Sequence, residues 1–133
     1  MYTTDRALSW ALRRREEGPW QLSEEQDTAD FVIEAFEEAD ADVKNAGALH
    51  AGSFVEPFLQ SGFTDVLDRV NRYTGEGLHS GDVLLNTEEH AAIYLGGGYM
   101  IEADPEAEEE SAIQISSYRN YPWDTVLRYE DRC

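Results

Sequence analysis

Apolar residues recur at helical spacing only in the N-terminal part of the chain; from Phe63 onward they gather in short β-rich stretches. A chain that sets its helices first and its strands afterwards does not build alternating β-α-β units. It folds as an α+β domain, with N-terminal helices packed on an antiparallel sheet. Strands are expected over 83–85, 91–95, 99–103, 113–115 and 126–129, and Gly96-Gly97-Gly98 between the second and third of these is a strong hairpin signal.

Residues 5–15 predict a first helix with Leu8, Ala11 and Leu12 on one face, its basic run Arg13-Arg14-Arg15 suiting the negative end of the helix dipole. Gly18-Pro19 stops it. A second helix is expected after Asp27, a good N-cap, with Asp30 at the third helical position completing an approximate capping box. Its inward face is Phe31, Val32, Ala35, Phe36 and Ala39, and one turn back the same spacing brings Thr28 to that side. Ser53 is a candidate cap for a short third helix carrying Phe54, Val55, Phe58 and Leu59, with Gly62 just past its end.

The length, 133 residues, fits a single domain spanning 1–133, and a hydrophobic content of 41% with three Trp, seven Tyr and five Phe argues for a folded core. No apolar run approaches the roughly 20 residues of a membrane helix, and the N-terminus lacks the basic-then-apolar order of a leader peptide. The expectation is a soluble, cytoplasmic protein. Its single cysteine, Cys133, allows no intrachain disulfide and no Cys/His zinc cluster, so neither a metal nor a cofactor is expected.

Asp and Glu number 28 against 10 Lys and Arg, a net charge of -18, and Lys44 is the only lysine. Nucleic acid and anionic membranes carry the same sign and are disfavoured as direct partners; a basic protein surface is favoured. Asp30, Glu34, Glu37 and Glu38 fall at i, i+4, i+7 and i+8, an acidic stripe on the outer face of the second helix. Like charges at that spacing cost about 0.2 to 0.5 kcal/mol per pair, which points to a role outside folding. Asp104, Glu106, Glu108, Glu109 and Glu110 form a second cluster in a loop. Solubility alone and adaptation to high salt are the competing readings of this composition.

The strand His90-Ala91-Ala92-Ile93-Tyr94-Leu95-Gly96, preceded by Gly81-Asp82-Val83-Leu84-Leu85-Asn86, has the form of the histidine half of a cysteine hydrolase. Such an enzyme sets a thiolate at a helix N-terminus beside a histidine that a third polar group orients. The upstream helix Asp27-Thr28-Ala29-Asp30-Phe31-Val32 has the matching form, with threonine in the thiol's place. Further pieces in the same order are Thr74-Gly75-Glu76-Gly77-Leu78, Ile101-Glu102-Ala103 and Ser117-Tyr118-Arg119-Asn120-Tyr121-Pro122-Trp123-Asp124. Taken together, the chain resembles the NlpC-type branch of the papain-like cell-wall hydrolases, in particular the small catalytic domains of bacteriophage endolysins.

The resemblance implies a papain-like fold, with Thr28 at the nucleophile position, His90 as the base and Glu102 as the group that orients it. A threonine hydroxyl has a far higher pKa than a thiol, and threonine nucleophiles are N-terminal residues that use their own amine as base. The expected catalytic set is therefore degenerate. Cys133, after the last strand, does not replace the missing thiol.

A scaffold without its nucleophile that carries excess acid fits a binding or inhibitory protein. Duplex DNA carries one charge per about 1.7 Å of axis, so 18 charges match roughly 30 Å of duplex. A compact domain of this length is about 35 Å across, a comparable charge density. A phage counter-defence protein that imitates DNA and blocks a CRISPR effector or restriction nuclease is the leading expectation. The alternatives are an active peptidoglycan amidase or endopeptidase and a halophile-adapted virion protein. His50 and His79 read as solvated loop residues, the glycine triplet lacks the following helix of a phosphate loop, and Tyr118, Tyr121 and Trp123 read as a core and strand-edge cluster.

Overall fold

The computed structural model describes residues 3–16, 28–39, 58–59, 62–71, 74–86, 90–103, 113–120 and 123–129, with the backbone alone at positions 3–5, 15, 28–30, 90 and 120. Helix α1 (Thr3–Glu16) and helix α2 (Thr28–Glu38) precede six strands: β1 (Phe63–Asp65), β2 (Val83–Asn86), β3 (His90–Gly96), β4 (Tyr99–Ala103), β5 (Ile113–Ser117) and β6 (Thr125–Tyr129). The strands form one sheet in the order β1-β6-β2-β3-β4-β5, with every neighbouring pair antiparallel. The architecture is α+β, and the five stretches read as strands from the sequence are β2 to β6. Of the third helix, Phe58 and Leu59 are helical and its other positions lie outside the described residues. So do the stop at Gly18-Pro19 and the cap at Asp27.

Both faces of the sheet are covered. On one, Phe63, Val83, Leu85, Ala91, Ile93, Ile101, Ala103, Ile113 and Leu127 form a single core with the two helices. The other face carries Leu84, Ala92, Tyr94, Met100 and Val126, closed over by Val66, Tyr118 and Trp123. Double coverage explains why Val83-Leu84-Leu85 is an unbroken apolar run in an antiparallel strand, where a solvated face would demand alternation. Trp123 is held under this layer by its indole N–H, which donates to the Tyr118 carbonyl at 2.6 Å.

Helix α2 buries the expected Phe31, Val32, Ala35, Phe36 and Ala39, and Ile33 as well, because α1 packs on one side of it and β3 and β4 on another. Phe36, Phe58 and Phe63 meet with ring centroids 4.6 to 6.1 Å apart, and Trp10 crosses Phe31 edge-on at 5.9 Å. Full burial of each phenylalanine contributes roughly 1.5 to 3 kcal/mol. The expected face of α1 is corrected in part. Ala7 and Ala11 are fully buried, Leu8 is half-buried, and Leu12 is 39% exposed. Alanines one turn apart let α1 approach α2 closely, and a leucine one residue further round the helix falls outside that contact.

The β3–β4 connection turns on Gly97 and Gly98, whose φ values of 63° and 90° suit a two-residue hairpin loop. The register slips by one residue between Tyr94 and Gly96, a bulge beside the turn. It sets the Tyr94 hydroxyl 2.9 Å from the Gly98 N–H, which donates to it.

Candidate functional site

Thr28 is the first residue of α2, and α2 lies on the sheet face that carries Ala91, Ile93, Ile101 and Ala103. His90 is the first residue of β3 and pairs with Asn86 of β2. Strand alternation gives position 90 the parity of Ala92 and Tyr94, the face turned away from α2. Glu102 shares the face of Met100 on the neighbouring strand and accepts a hydrogen bond from the Ser116 hydroxyl at 3.2 Å. The fold thus brings position 90 and Glu102 to one face of adjacent strands, while Thr28 heads the helix on the other. The side chains of Thr28 and His90 lie outside the described part of the structure.

Of the acidic stripe, Glu34 and Glu38 are exposed, Glu37 is half-buried, and the side chain of Asp30 lies outside the described part. Among the described side chains from Phe31 to Ala39, the other positions of this segment are buried. The loop cluster Asp104, Glu106, Glu108, Glu109 and Glu110 lies outside the described residues, as do His50 and Tyr121. His79 is exposed, and Tyr118 and Trp123 are core residues, 3% and 5% exposed.

The segment Thr74-Gly75-Glu76-Gly77-Leu78 turns out to be a compact loop. Gly75 N–H donates to the Asn71 carbonyl at 2.7 Å, Asn71 N–H to the Glu76 carbonyl at 2.8 Å, and the Thr74 hydroxyl accepts from Glu76 N–H. The loop is tied to β6 through Arg128, which donates to the Gly77 carbonyl and to both oxygens of Asp82. This arrangement presents Thr74 and Gly75 beside the Tyr118 hydroxyl.

There, at the hairpin end of the sheet, lies an open cavity of about 500 Å³ whose lining includes Tyr94, Tyr99, Tyr118, Ser117 and Arg119. The sequence marks Tyr118 as a core aromatic, as the structure has it, but does not single out Arg119. The site is assembled from segments near 74, 94–99 and 117–119, and no local spacing signals that they meet.

No family model matches the chain, and no curated protein or solved structure is significantly similar to it. No helix among the described residues is long and apolar enough to cross a membrane.

Proposed function

We propose that the chain is a catalytically inactive, endolysin-like domain of the papain-like NlpC type that works as an acidic binding and inhibitory protein. The observation that carries this reading is the threonine that opens α2, a hydroxyl where the resembling enzymes hold a thiol. A helix N-terminus lowers a thiol pKa into the neutral range, but it does not bring a hydroxyl anywhere near it. The acidic surface is what the domain retains to work with. Exposed Glu34 and Glu38, on a chain of net charge -18, oppose any polyanion and attract a basic channel. The partner is a nucleic-acid-binding nuclease, a CRISPR effector or restriction enzyme, whose channel the domain fills in place of DNA.

Affinity capture with this domain from host lysate at physiological salt is the test. The expected result is a basic nuclease released by added duplex DNA and by rising salt. Capture that resists both contradicts the reading. A second reading, a peptidoglycan amidase or endopeptidase, draws on position 90 and Glu102 sharing one face of adjacent strands.

A further inference from the structure

The cavity at the hairpin end of the sheet has a built floor. Tyr94 and Tyr118 are 6% and 3% exposed and cross edge to face with centroids 5.7 Å apart. The Tyr94 hydroxyl accepts from the Gly98 N–H, and the Gly98 carbonyl accepts from the Tyr118 N–H at 3.2 Å, so turn and floor are bonded to each other. Gly75 closes on the Tyr118 ring from the loop side, where an added Cβ would stand 3.2 Å from the hydroxyl oxygen.

On this floor Arg119 is oriented by neutral groups. Its Nε donates to the Tyr118 hydroxyl at 3.2 Å, its backbone N–H donates to the Ser117 hydroxyl, and its guanidinium carbon lies 5.6 Å from the centre of the Tyr118 ring. Among the described residues no carboxylate pairs with it, and its two Nη groups make no hydrogen bond. Arg128 behaves in the opposite way, with its fork filled by Asp82. A guanidinium held by a phenol, with no described carboxylate on it, has the fork geometry that suits an oxyanion from outside. Tyr99, also in the lining, is 56% exposed and offers an aromatic surface to a ligand.

We infer that this cavity binds a small ring compound bearing a carboxylate, the oxyanion on the Arg119 fork and the ring against Tyr99. The volume is within the roughly 300 to 1,000 Å³ of small-molecule sites. Tyr94 stands about 13 Å along β3 from position 90, and the sheet separates the cavity from α2. Its occupancy and the function proposed above are therefore tested separately.

The test is titration of the full chain, followed by amide NMR shifts, with benzoate against benzyl alcohol and glucuronate against glucose. At least one acid is expected to bind with a Kd of about 1 mM or tighter and to shift the Gly97, Gly98 and Ser117 amides, while its neutral counterpart does not. Benzoate alone identifies aromatic acids as the class, and glucuronate alone identifies sugar acids. Arg119→Gln should weaken binding about tenfold or more with an unchanged melting temperature, and Arg119→Lys, which keeps the charge but not the fork, should fall between. Absence of binding by both acids, equal binding of a neutral counterpart, or full affinity in Arg119→Gln would overturn the proposal.

Discussion

Arg128 grips Asp82 with two prongs of its guanidinium, Nε on Oδ1 at 2.9 Å and Nη2 on Oδ2 at 2.8 Å, across 46 residues of sequence. Asp82 is 1% exposed and also accepts from the His79 N–H at 2.8 Å, while Arg128 extends a further bond to the Gly77 carbonyl. One ion pair therefore fastens the 74–82 loop to the end of β6. Removing either partner strands the other in a site made for its charge. Arg128→Met and Asp82→Ala are each expected to lose about 3 kcal/mol of stability. In urea denaturation the double variant should lose much less than the sum, with a coupling above about 1 kcal/mol. Additive losses would show that the pair does not act as a unit.

The same loop constrains Gly77. Its φ is 89°, and a Cβ there would stand 2.3 Å from the Arg69 carbonyl oxygen, backbone that cannot move aside cheaply. Gly98 has nearly the same φ, 90°, but no heavy atom within 4 Å of such a Cβ. Gly98→Ala should therefore cost about 1 kcal/mol, the conformational penalty alone. Gly77→Ala should cost about 3 kcal/mol or more, because the steric clash is added. Thermal melts of the two variants measure the difference directly.

Much of the fold was legible in the chain. Strands β2 to β6 announce themselves through β-rich runs and the glycine hairpin, and the inward face of α2 through helical spacing. The face of α1 was misjudged at Leu12, because hydrophobicity favours leucine whereas close helix contact selects Ala7 and Ala11. The Asp82–Arg128 pair and the cavity at Arg119 were not legible at all. Both join segments distant in sequence, and charge or aromatic content alone does not say which residues meet.

For the acidic helix face, Glu34→Gln and Glu38→Gln together should leave stability within about 0.5 kcal/mol, since both side chains are exposed. Affinity for the captured basic partner should fall, and its dependence on salt should become shallower. Calorimetric binding at two salt concentrations checks both signs. Unchanged affinity would remove α2 from the working surface.

In the proposed reading Thr28 stands at a thiol's position, and a cysteine there tests it. Thr28→Cys, in a Cys133→Ser background, puts a thiol at the first residue of α2, where its pKa should fall below the ordinary value of about 8.5. The pH dependence of its alkylation by iodoacetamide gives that value. Because position 90 has the parity of the face turned away from α2, the thiol is expected to alkylate without giving peptidoglycan turnover.

The central claim is that this scaffold has lost its chemistry, and the most direct measurement is the release of new amino termini from purified peptidoglycan. The unmodified chain and His90→Ala are assayed side by side. The account predicts release no greater than the buffer background from both. Release by the unmodified chain that disappears in His90→Ala would contradict it.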